Sequence, residues 1–262
     1  MIEKIMQKYE LKTLFNLSVN DFKNKYTNSV LGVFWAIINP FVTIFIYWFV
    51  FEYAFKNSAI DDVPYLIWMM AGILPWNFIT ECLMTTTGSY LEYSYLVKKV
   101  VFNKKMIPLI KVLSASAIHL FFILILFIFA AGYRIPFTIY TLQLLYYLGC
   151  TLAILIPMGR LNAIINIFFR DYIQFVNIFI QAGFWLTPIF WNLNILSDLM
   201  LVLFKLNPFF YIVQGYRNSL FYHVWFWETP IQTLYFWGFV IILTLISNSI
   251  YNKTEKHFSD VL

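Results

Sequence analysis

The chain has little charge. Asp, Glu, Lys and Arg supply 12% of its 262 residues, against about 25% in a soluble domain. Such scarcity excludes a fold surrounded by water, and 61% hydrophobic residues with a mean hydropathy of +0.72 point to an integral membrane protein. Cysteine is scarce too: Cys82 and Cys150 each sit inside an apolar run, without metal-ligand spacing, and are expected to pack. There is no G-x-x-x-x-G-K-[ST] phosphate loop and no dinucleotide fingerprint, so no cofactor is expected in this chain. The three histidines, His119, His223 and His257, fall in separate regions, which excludes a metal site shared within one chain. Residues 1–29 mix charges throughout and lack both an apolar core and a small-residue cleavage site, so no cleaved leader is expected. Nothing points to nucleic acid.

What the chain does have is long apolar runs. Five uncharged stretches, 30–51, 112–133, 135–159, 172–197 and 229–252, meet the requirement of about 20 residues per crossing. A sixth, 63–91, carries the single acid Glu81. The stretch 198–228 is also apolar, but Lys205, Pro208 and Arg217 cut it into pieces too short to cross, as in re-entrant or interfacial helices. The expected fold is an all-α integral membrane protein with six transmembrane helices and re-entrant helices between the fifth and sixth. Its parts are an N-terminal segment 1–29, a membrane domain 30–252 and a tail 253–262.

Basic residues orient this arrangement, because Lys and Arg in short loops stay on the cytoplasmic face. Six crossings place fourteen of the eighteen on one side: five lysines in the N-terminal segment, Lys98, Lys99, Lys104, Lys105, Lys111, Arg160, Arg170, Lys253 and Lys256. Only Lys56, Arg134, Lys205 and Arg217 fall on the other. The reading is a multi-pass membrane protein with both termini cytoplasmic. The stretch "VKKVVFNKK", 97–105, then lies in the cytosol, where its lysines serve orientation and lipid contact or meet a partner. The N-terminal segment spaces Ile2, Ile5, Met6, Tyr9, Phe15, Val19, Phe22 and Tyr26 at helical intervals between lysines, the pattern of an amphipathic surface helix. It is expected to enter the first span through Gly32.

Two ionisable groups fall inside spans, His119 and Glu81. Either could serve an intramembrane acyltransferase, and Glu81 a proton relay; the plainer readings are a histidine bonded to a neighbouring helix and an acid used for packing or dimer contact.

Six stretches, in order, carry a resemblance: "NKYTNSVLGVFWAIINPF", "MAGILPWNFI", "YLVKKVVFNKKMIPLI", "NIFFRDY", "FWLTPIFW" and "LNPFFYIVQGYRNSLFY". The chain resembles the membrane subunit of the ABC-2 family of polysaccharide and polyol-phosphate exporters, which move O antigens, capsular polymers and teichoic acids. Asn103 stands where many relatives have proline.

The resemblance implies a permease without catalytic residues, paired as a homodimer with two copies of an ABC ATPase that binds the ATP and Mg. It implies a coupling loop within 92–106 that seats on the ATPase, with Val97, Lys98, Lys99, Val101, Phe102, Lys104 and Lys105 as contact residues. The N-terminal helix would lie against the same partner. Arg170 and Asp171 would cap the turn between the fourth and fifth spans, by a local ion pair or a partner contact. The substrate would be a lipid-linked polysaccharide or teichoic acid, and a small-molecule efflux permease of the same architecture is the alternative. Aromatics, 21% of the chain, suit a sugar path or an interfacial belt. The path candidates are Phe34, Trp35, Trp76, Trp185, Trp191, Tyr211, Tyr216 and Tyr222. Pro40, Pro75, Pro157 and Pro188 are expected to interrupt their helices, shaping a cavity or acting as packing kinks.

Overall fold

The computed structural model describes residues 2–27, 31–54, 59–99, 102–192 and 197–262. A surface helix, α1 (Ile2–Thr27), precedes the first crossing. Gly32 sits in the turn between them with φ of +51°, a conformation that favours glycine. Helix α2 (Phe34–Trp48) runs on through a π-helical turn, Phe49–Ala54. A two-residue hairpin follows, β1 (Ala59–Ile60) and β2 (Val63–Pro64), turned by Asp61 and Asp62, both at positive φ.

Helix α3 (Tyr65–Thr87) is the axis of the bundle, buried on nearly all sides by its neighbours. Two short turns, α4 (Ser89–Glu92) and α5 (Ser94–Val97), lead to the long α6 (Met106–Gly132) and α7 (Gln143–Phe168). Then come α8 (Tyr172–Leu186), the outer pair α9 (Asp198–Lys205) and α10 (Pro208–Arg217), the last crossing α11 (Pro230–Thr254) and a final turn, α12 (Phe258–Val261).

Among the described residues, five helical stretches are long and apolar enough to cross a membrane, or six if the bent pair 198–205 and 208–222 is one span. The expected fifth span, 172–197, differs: its helix stops at Leu186 after 15 residues, about 22 Å at 1.5 Å per residue. Pro188 is the cause, because it lacks an amide proton and pushes Thr187 to extended geometry, φ −104° and ψ 132°. The chain still reaches the far end. Tyr65, at the start of α3, donates to the Phe190 carbonyl at 3.1 Å. Pro40, Pro75 and Pro157 lie inside unbroken helices, so of the four prolines expected to interrupt only Pro188 ends one.

Helix α7 also departs from its uncharged run, continuing past Arg160 to Phe168. Arg160 fits because it faces α11, donating to Ser247 at 2.9 Å and Asn248 at 2.6 Å. As expected of a re-entrant segment, α9 and the stretch from α10 to Tyr222 meet at a bend of 100°. Asn207 caps α10 by accepting from the Phe209 amide at 3.0 Å, with Pro208 preorganised in the first turn.

Packing sorts the elements between two ends. Tyr90, Leu96 and Val97, Ile107 of α6, Ala163, Ile164 and Ile167 of α7, and Tyr251 of α11 share one buried cluster with Phe258 of the tail. Leu14 of α1 joins Met106 and Ile110 beside it. Both terminal segments therefore meet the lysine-bearing loop at one end. The hairpin and the α9–α10 bend lie at the other, where Tyr222 donates to Asp61 at 3.0 Å.

Candidate functional site

At the lysine-rich end, α1 is fastened to the bundle by charge. Lys111, two turns into α6 and 7% exposed, bonds Asp21 of α1 at 2.6 Å and Glu92 of α4 at 2.7 Å. Tyr93 donates to the same Asp21 carboxylate at 2.6 Å and lays its ring 5.0 Å from the Lys111 ammonium. Burial, together with that hydrogen bond, holds the Tyr93 phenol protonated well above the usual tyrosine range. Glu81 of α3 pairs with Lys25 of α1, so the acid inside the sixth apolar run is matched by a lysine from the surface helix.

Helix α1 meets the bundle through Leu14, Ser18 and Asp21, and leaves Leu11 and Phe15 exposed. Phe15, on the apolar side of the expected surface helix, points away from the bundle. The side chains of Ile2, Ile5, Met6, Tyr9 and Tyr26 lie outside those described.

The residues expected to couple divide. Lys98, Lys99 and Lys105 are exposed, and Lys105 stands 5.0 Å from the Tyr251 ring. Val97 is buried, its side chain in the cluster that joins α5 to α7 and Phe258. Phe102 packs partly on Leu14 and Met106. Lys104 is half-buried, 5.9 Å from the Phe258 ring centroid, and donates to the Glu255 carbonyl at 3.4 Å. Val101 lies outside the described residues. Tyr95, which the sequence reading passed over, is the exposed aromatic of this segment. Arg170 and Asp171 are both exposed, and Asp171 occupies the N-cap of α8 without a side-chain capping bond.

At the opposite end, fully buried Arg217 of α10 closes the bundle. Its guanidinium donates to the carbonyls of Pro188 at 2.6 Å and Ile189 at 2.8 Å, the backbone acceptors left over where α8 stops. The same group lies 3.3 Å above the Trp68 ring. Gly72 makes room for it, since a β-carbon there would come 2.7 Å from the guanidinium.

The sequence profile described as ABC-2 type transporter matches residues 13–221, from α1 through α10. The chain belongs to this family. Among its relatives are O-antigen export system permease proteins RfbA. One from Klebsiella pneumoniae is 28% identical over 272 residues, covering 98% of this chain and 99% of the relative. Another, from Myxococcus xanthus, is 22% identical over 267 residues and covers 99% of both. This ABC-2 chain is therefore a multi-pass membrane protein.

Within the ABC-2 subunit, the aromatic path candidates separate into surface and core. Phe34, Trp35 and Trp185 are exposed, while Trp191 donates to the Trp185 carbonyl at 3.3 Å. Tyr222 sits at the outer end, accepting from Trp68 at 2.8 Å while bonded to Asp61. Trp76, Tyr211 and Tyr216, also named as path candidates, are buried within this subunit. Trp76 fills the space above Gly183, Tyr211 bonds Tyr146 at 3.0 Å and Thr233 at 2.9 Å, and Tyr216 bonds His119 at 2.8 Å. That last contact gives His119 the interhelical role, with its ring stacked on Phe78 at 4.5 Å.

Proposed function

We propose that this chain is the membrane-spanning subunit of an ATP-driven exporter that moves a lipid-linked polysaccharide of the O-antigen kind across the cytoplasmic membrane. Whole-length similarity to O-antigen export permeases carries this reading. In it the lysine-rich end faces the cytosol, and a separate ABC ATPase, two copies binding ATP and Mg, docks there. Lys98, Lys99 and Lys105, with Tyr95, offer charge and an aromatic anchor to that partner. The Asp21–Lys111–Glu92 cluster ties α1 to α4, so both ATPase-facing elements would move as one.

The centre of the subunit is filled by α3, which leaves little space for a hydrated polymer inside one chain. Two copies would supply the path between them, a closed symmetric pair. Cells lacking this protein should accumulate lipid-linked polymer inside, identified by chemical analysis of extracted lipids. Normal surface polymer with no internal build-up would refute the reading. Accumulation of a drug instead would favour the small-molecule alternative.

A further inference from the structure

A cavity of about 420 Å³ opens between α1, α2, α3 and α6, in the lysine-rich half of the bundle. Its size falls in the range of roughly 300–1,000 Å³ that encloses small ligands. Four of its wall groups are polar side chains without a hydrogen bond to a described residue: Asn39 on α2, Asn77 and Thr80 on α3, and Ser114 on α6. Ser114 is buried, Asn77 half-buried and Asn39 exposed at the mouth; hydrocarbon cannot satisfy such groups, so a ligand seated here gains by donating and accepting hydrogen bonds.

Charge narrows the ligand further. Lys25 and Glu81 both border the cavity and pair with each other, so an ionic group gains no net attraction from them. The His119 nitrogen that faces Tyr216 is occupied, and its ring stacks on Phe78, which makes this part of the wall a flat apolar face. Trp35 adds a second, partly exposed ring. Two amides and two hydroxyls among ring faces match a neutral group with hydroxyls on its edges and C–H bonds on its faces.

We infer that this cavity binds a glycosyl unit at the lipid-linked end of the glycan, presented from the cytoplasmic leaflet. The inference rests on the exporter reading and names a recognition site within it. Asn39, Asn77 and Ser114 bond the sugar hydroxyls, and Trp35 covers a ring face.

The test places p-benzoylphenylalanine at Trp35 in the complete complex with its ATPase, in lipid nanodiscs. Photo-crosslinking is read by mass with three separate probes: prenyl-diphosphate-linked N-acetylglucosamine, the same prenyl diphosphate without sugar, and phosphatidylglycerol. The expected result is at least a ten-fold higher yield with the sugar-bearing probe, falling at least five-fold on Asn77→Leu. Ser114→Val is read alongside and should show the same loss if Asn77→Leu fails to fold. Equal yield with the sugarless diphosphate would mean phosphate recognition, equal yield with phosphatidylglycerol a plain lipid groove, and no adduct an unused cavity; each overturns the inference. Should those outcomes appear while cells lacking the protein still accumulate lipid-linked polymer, the cavity assignment fails and the exporter reading stands. Without accumulation, the exporter reading itself fails.

Discussion

Replacing Phe258 by alanine should release the turn at 255–262 from the lysine-bearing loop without unfolding the bundle. The ring is completely buried, with Tyr90 at 5.1 Å, Tyr251 at 5.9 Å and Phe168 at 6.4 Å. Truncating a phenylalanine in such a cluster costs about 3–5 kcal/mol. The segment 255–262 has a cheaper response than carrying that cavity, because Phe258 is its one buried side chain and without it the segment can detach. At ~1.4 kcal/mol per factor of ten, a loss of 3 kcal/mol shifts the docking equilibrium by roughly a hundred-fold. Lys104 then loses both the Phe258 ring and the Glu255 carbonyl, and the loop beside it loosens. Hydrogen exchange on the purified protein should show amides of 255–262 losing at least ten-fold protection, a smaller loss at 102–107, and none in α3. Unchanged exchange in the tail would refute the claim that Phe258 holds it. Equal losses in α3 would mean the ring supports the whole bundle.

Lys111→Met strands Asp21 in a buried site, and removing one member of such a pair costs about 3–5 kcal/mol. Thermal unfolding should show a lowered midpoint that Asp21→Asn on top partly restores; a further, additive drop would contradict the pairing. Arg217→Lys keeps the charge but not the fork over two carbonyls, with an expected loss of ~1.5–3 kcal/mol and new proteolytic cleavage near 187–192. A variant as protease-resistant as the parent would remove the clamp from the argument. Gly215→Ala drives a β-carbon into the Tyr147 ring and should destabilise by about 1–3 kcal/mol, whereas Gly238→Ala, with nothing within 4 Å, should be neutral or mildly stabilising in the same melt.

The apolar runs were legible because bilayer thickness imposes length and composition on any crossing. The run 63–91 became α3 in spite of Glu81, whose partner Lys25 lies 56 residues away, a distance at which sequence pattern gives no register. Arg160 misled in the other direction. An uncharged-run rule ends the span there, yet the side chain turns into the α7–α11 contact and the helix continues. The shortened α8 could have been found from Thr187-Pro188, since the residue before proline disfavours helix. Aromatic placement could not, because Trp76 and Trp185 have the same chemistry and opposite burial. The Asp21–Lys111–Glu92 cluster was missed because Lys111 read as one more loop charge; an ammonium within "MIPLIKVLSASA" was the available signal.

The most direct measurement is labelling of Lys98→Cys in intact cells by a membrane-impermeant maleimide, with Cys82 and Cys150, both buried, replaced by serine. A cytosolic coupling segment predicts no labelling until the membrane is permeabilised, followed by disulfide trapping to a cysteine on the ATPase. Labelling from outside in sealed cells would invert the orientation and contradict ATP-driven coupling through this loop.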